Sequence, residues 1–72
     1  MNTSTTIHSY VDNRPVILQE HNSGNIDVWH KAKLLGVVWV NSHDEWEVEG
    51  PSASWACETK DDAISVLLDN YG

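Results

Sequence analysis

Cysteine is almost missing from this chain. Cys57 is the only one in 72 residues, which excludes an internal disulfide and any zinc site built on paired cysteines. Phenylalanine is absent and proline occurs twice. Basic residues are equally scarce: Arg14, Lys31, Lys33 and Lys60 stand against eleven Asp and Glu, for a net charge of −7. Direct nucleic-acid binding is therefore not expected, because counterion release needs a basic patch that four cations hardly build. The longest apolar run, around Leu34 to Val40, is far short of the ~20 residues of a membrane span. Polar Met1 to Thr6 carries no Lys or Arg ahead of an apolar stretch, so it does not read as a signal peptide. The expectation is a soluble, cytoplasmic protein whose acidic surface suits basic partners.

The length allows one domain, which buries roughly 60% of its unfolded surface and has a thin stability margin. Residues 1–13 are rich in Thr, Ser and Asn without sustained periodicity, and their default reading is a flexible arm. The alternative is an edge strand docked through Ile7, Tyr10 and Val11. Residues 14–72 read as a single α+β domain: an antiparallel sheet of three to five strands packed on one C-terminal amphipathic helix.

Arg14 to Glu20 is the first expected strand, with Pro15 at its start. His21 to Asn25 has turn chemistry around Gly24. Ile26 to Leu34 alternates, with Ile26, Val28, His30, Ala32 and Leu34 on one face and Asp27, Trp29, Lys31 and Lys33 on the other. Gly36 permits a bend or bulge. Val37 to Val40 is apolar on both faces, as in a strand covered twice, or covered once and sticky on its other side. Trp46 to Glu49 alternates again, and Ala53 to Glu58 completes the strands. Thr59 then reads as an N-cap, with Asp62 three residues on as an acidic capping box. Ala63, Ile64, Leu67, Leu68 and Tyr71 form one apolar stripe on a helix from Lys60 to Tyr71.

Four tryptophans in so small a chain are the first functional signal. Trp46 and Trp55 read as core. Trp29 falls on the face away from the predicted core, beside Lys31 and Lys33, and Trp39 is expected to join it in an exposed patch suited to an interface. The second signal is acidic. Asp44, Glu45, Glu47 and Glu49 lie in one hairpin, and on a strand the three glutamates point the same way at about 7 Å spacing. Such a row can dock a basic groove or imitate nucleic-acid phosphates; a solvated face that guards a strand edge is the plainer reading.

Enzyme chemistry finds little support. His8, His21, His30 and His43 are scattered, and His43-Asp44-Glu45 cannot converge as metal ligands from consecutive turn positions. His30 reads as a structural histidine on the apolar face. Cys57 sits beside acids, which raise a thiol's pKa and oppose a thiolate nucleophile. No phosphate-binding loop or hydrolase motif is present. No catalytic residue, metal or cofactor is assigned.

The run Trp46-Glu47-Val48-Glu49, followed by Ala56-Cys57-Glu58-Thr59-Lys60-Asp61-Asp62-Ala63-Ile64, resembles the strand–strand–helix ending of very small phage and prophage proteins. Among these are acidic inhibitors of host RNA polymerase or defence nucleases. The resemblance spans Gly36 to Tyr71 and rests on a Thr-x-Asp-type cap and an apolar stripe. It implies a mobile-element origin and an inhibitor-like role, and it carries over no functional residue.

The expected function is thus a non-enzymatic module that binds a larger, basic host protein. The binding residues would be Trp29, Lys31, Lys33, Trp39, Asp44, Glu45, Glu47 and Glu49. The alternative is a self-assembling homo-oligomer.

Overall fold

The computed structural model describes residues 4–72. The chain forms β1 (Ser4–Val11), β2 (Arg14–His21), β3 (Ile26–His30), β4 (Lys33–Val40), β5 (Trp46–Glu49), β6 (Ser54–Cys57) and α1 (Lys60–Tyr71). The strands make one sheet in sequence order, each antiparallel to the next. The fold is therefore α+β, with six strands where three to five were expected.

The added strand comes from the stretch read as a flexible arm. Ser4–Val11 pairs along its whole length with β2; Met1 to Thr3 of that arm lie outside the described residues. Its inward positions include Ile7 and Val11 but also Thr5 and Ser9, so the alternation was hidden by hydroxyl side chains. Asp12 and Asn13, with φ of 53° and 62°, make the two-residue turn that right-twisted hairpins prefer.

A second such turn corrects the reading of Ile26 to Leu34 as one strand. Lys31 and Ala32 have φ of 52° and 63°, and His30 pairs with Lys33 across them. The chain reverses there, so Ala32 and Leu34 leave the core face and Lys33 changes sides. Pairing of Val28 with Gly36 but Trp29 with Leu34 leaves Leu35 as an extra residue. This bulge turns both Leu35 and Gly36 toward the helix. Leu35 is 1% exposed. A Cβ on Gly36 would come within 2.7 Å of Leu67 Cδ2 and closer still to the Glu49 carbonyl oxygen, so only glycine lets α1 lie this near β4.

The core is the layer between one sheet face and α1. Val16, Leu18, Ile26, Val28, Leu35, Val38 and Val48 meet Ala63, Ile64, Leu67 and Leu68 there. Each fully buried aliphatic side chain contributes about 1.5–3 kcal/mol, which a helix of twelve residues needs because it is marginal alone. Trp46, Trp55 and Tyr71 pack around this core. Trp55 and Tyr71 meet edge to face, with centroids 6.2 Å apart.

Helix ends are satisfied as the capping pattern implies. Thr59 Oγ1 accepts from the Asp62 amide at 3.1 Å, and the Gly72 amide donates to the Leu68 carbonyl at 3.0 Å. No basic residue lies in the last turn. Lys33 of β4 supplies the missing cation, donating from Nζ to the Tyr71 carbonyl at 3.3 Å. At the other edge of the helix, Arg14 bridges Asp12 and Asp69, and Ser65 donates to Asp12. His30, 8% exposed, has Nδ1 2.6 Å from the Pro15 carbonyl; only an N–H there can donate to it. Among the described residues, no helix is long and apolar enough to cross a membrane.

Candidate functional site

One helix covers one face of the sheet, and the opposite face has no layer over it among the described residues. Side chains alternate along each strand, and the pairing registers bring His8, Ile17, Trp29 and Leu34 into one row across β1 to β4. A neighbouring row runs Gln19, Asp27, Val37 and Glu49 across β2 to β5. Trp39 stands opposite Glu47 at the far end. Ile17, Leu34 and Tyr10 are 37%, 45% and 74% exposed, and Trp29, Val37 and Trp39 are half-buried. Of the two arrangements read from Val37 to Val40, the strand shows coverage by the helix on one side.

The expected site residues divide. Trp29, Trp39, Glu47 and Glu49 share the open face, so the aromatic and acidic signals are two parts of one surface. Trp29 and Trp39 form no ring pair; Leu34 and Val37 intervene on β4. Glu45 and Asp44 lie in the turn ahead of β5, with Asp44 at φ 61°. Asn41 organises that turn, its Oδ1 accepting from the amides of His43 and Glu45 at 2.8 and 3.1 Å. Glu47 and Glu49 lie within β5, and Glu45 just before it, its carbonyl accepting from the Asn41 amide at 2.8 Å. Lys33 pairs with His30, on the helix side of the sheet, and donates to the helix terminus. Lys31 stays near the site, in the β3–β4 turn.

Electrostatics follow from where the cations are held. Arg14 pairs with Asp12 and Asp69, and Lys60 with Glu20 at 3.4 Å. Neither Glu47 nor Glu49 has a cationic partner among the described residues. Glu47 accepts only from Asn41 Nδ2, at 2.9 Å, and Glu49 is exposed. Asp27 lies 2.8 Å from His21 Nε2. The β4–β5 end of the face is thus negative, while its centre is apolar.

Two shallow hollows mark this face. One, of about 280 Å³, is lined by His8, Tyr10, Ile17, Trp29 and Lys31. The other, of about 290 Å³, is lined by Asp27, Leu34, Val37, Glu49 and Pro51. Both are at or below the lower limit of typical small-ligand pockets. Ile17, Tyr10 and Leu34 were missed as site residues; Ile17 was hidden in the apolar run Val16-Ile17-Leu18, whose members alternate between faces.

Cys57 lies on the helix side, half-buried against the core. Burial, and secondarily the Asp62 carboxylate, push its thiol pKa up. Among the described residues, no three His, Cys, Asp or Glu side chains are grouped to hold a metal ion. Comparisons with protein families, with curated proteins and with solved structures give no match.

Proposed function

We propose that this protein is a non-enzymatic binding module that docks its open sheet face on a larger protein with a basic surface. The observation that carries this reading is the interleaving of acid and apolar side chains on one face: Glu47 beside Trp39, and Glu49 beside Val37. Aromatic anchors desolvated at the centre of an interface supply most of its affinity. Flanking carboxylates steer a basic partner and select against acidic ones. The unpaired state of Glu47 and Glu49 supports the same reading, since a partner's Lys or Arg meets charges with no competing ion pair.

In this account the protein acts as an inhibitor or regulator by occupying its partner's basic site, in the manner of small phage-encoded inhibitors in a host cytoplasm. The test is partner binding by wild type and by a Glu47→Lys/Glu49→Lys variant over a salt series. Wild-type binding weakens steeply as salt rises, because the Debye length shrinks from about 8 Å at physiological ionic strength to about 3 Å at 1 M. The variant binds weakly at every salt concentration. Equal binding by both proteins rejects the reading.

A further inference from the structure

We infer that β1 is a dimerisation seam, on which two copies pair their β1 strands antiparallel about a two-fold axis passing beside Ile7. The seam uses the backbone edge of β1 and leaves the docking face open, with the His8 and Tyr10 side chains at the border of the two.

Among the described residues, only one side of β1 is paired, by β2. Natural sheets guard such edges with charge, proline, bulges or brevity. β1 has none of these. Its eight residues, Ser-Thr-Thr-Ile-His-Ser-Tyr-Val, include no Asp, Glu, Lys, Arg or Pro, and its pairing with β2 is unbroken. At about 3.4 Å per residue the strand is ~27 Å long, close to the molecule's longest extent of 31 Å. The opposite edge is guarded: β6 has four residues and is flanked by Pro51 and Glu58.

The direction of the free backbone groups sets the register. The two-residue turn at Asp12-Asn13 makes Val11 and Arg14 a hydrogen-bonded pair, and bonded and non-bonded pairs then alternate. Tyr10 and Pro15 form the next, non-bonded pair, which suits a proline without an N–H. The Pro15 carbonyl accordingly points away from β1, toward His30 of β3. By the same alternation Ser4, Thr6, His8 and Tyr10 direct their N–H and C=O groups to the open edge. One antiparallel register engages all four: Ser4 with Tyr10 of the second copy, and Thr6 with His8 of the second copy. Its axis passes beside Ile7, which is half-buried against the core on the helix side. The two Ile7 side chains then meet across a non-bonded pair, where Cα atoms approach to about 4.5 Å, and the two cores become continuous.

Charge and order favour a second copy over other occupants. Chains of net charge −7 repel, yet β1 is where they can approach. Glu47 and Glu49 lie four strands away, about 19 Å at the usual strand spacing, well past the Debye length. Asp12 and Glu20, the nearer carboxylates, are each paired with a cation. A second β1 is also a strand already formed, whereas an unstructured segment must be ordered on binding.

Mass measurement by light scattering and amide exchange on the full chain test this. Wild type has twice the 8.1 kDa chain mass, and the amides of Thr6, His8 and Tyr10 lose protection on dilution. His8→Pro removes an N–H that β2 does not use. It raises the midpoint concentration for dimerisation at least about tenfold, since symmetry deletes two bonds at once, while circular dichroism stays that of the folded chain. Thr6→Pro gives the same result. A wild type that is monomeric at all concentrations overturns the inference. So does a dimer that survives both proline variants or is broken by Trp29→Ala instead. Should either proline variant unfold, rapid exchange of the Thr6 and His8 amides in the wild-type dimer overturns it as well.

Discussion

Trp39 of β4 and Glu47 of β5 are cross-strand partners on the sheet face that α1 leaves open. In the proposed docking mode this aromatic side chain meets a partner's pocket, and the carboxylate, which has no ion pair among the described residues and only the Asn41 side-chain amide as donor, meets its cation. If this pair is the anchor, Trp39→Ala costs about 2 kcal/mol or more of partner affinity, and Glu47→Gln mainly slows association. Trp39→Ala also lowers stability, since most of that side chain is covered, whereas Glu47→Gln changes it little. Binding kinetics, with thermal unfolding as control, separate the two effects.

The closeness of α1 to β4 depends on Gly36. Gly36→Ala places a methyl group against Leu67 and the Glu49 carbonyl, and neither backbone nor packed leucine yields freely. The expected loss is about 1–3 kcal/mol, a large fraction of the stability of so small a domain. Urea unfolding of Gly36→Ala measures it; a change below about 0.5 kcal/mol shows that the helix–sheet spacing is looser than described.

Thr59→Ala removes the side chain that accepts from the Asp62 amide. About 1 kcal/mol is expected, or a fall in Tm of roughly 4–8 °C for a domain of this size. Thr59→Asp retains most of the stability. By contrast, Asp69→Ala breaks only an exposed pair with Arg14 and costs less than about 1 kcal/mol.

Cys57 provides the pH-dependent prediction. Its thiol is held above the ordinary value by burial and by Asp62, so the folded chain keeps this proton longer than the unfolded chain. Stability from this group is full below the unfolded thiol pKa and declines as pH rises through that value toward the raised one. Alkylation by iodoacetamide near pH 8 is therefore slower in folded protein than in urea, and Cys57→Ser removes this part of the alkaline fall in stability.

The helix was legible because its signals agree: a cap at Thr59, acids in the first turn, and the stripe from Ala63 to Tyr71. Trp29 was placed on the open face by plain alternation. What hid was carried by backbone conformation. Lys31-Ala32 has none of the Gly, Asn or Asp that mark a two-residue turn, so two strands read as one and Lys33 was put on the wrong face. Asp12-Asn13 does carry that chemistry. It went unread because Thr5 and Ser9 occupy inward positions on β1 where a core strand has apolar residues. Glu45 falls just before β5, in the turn that Asn41 organises, which the spacing of the three glutamates does not reveal.

The most direct test of the docking face is quantitative capture of a partner protein from cell lysate by four immobilised forms: wild type, Trp29→Ala/Trp39→Ala, Glu47→Lys/Glu49→Lys, and Asp61→Lys/Asp69→Lys on the helix surface, all shown to be folded. The account predicts one basic protein retained by wild type and the helix-surface variant and lost at least about tenfold from both open-face variants. Retention by the open-face variants, with loss only when the helix surface is altered, contradicts it.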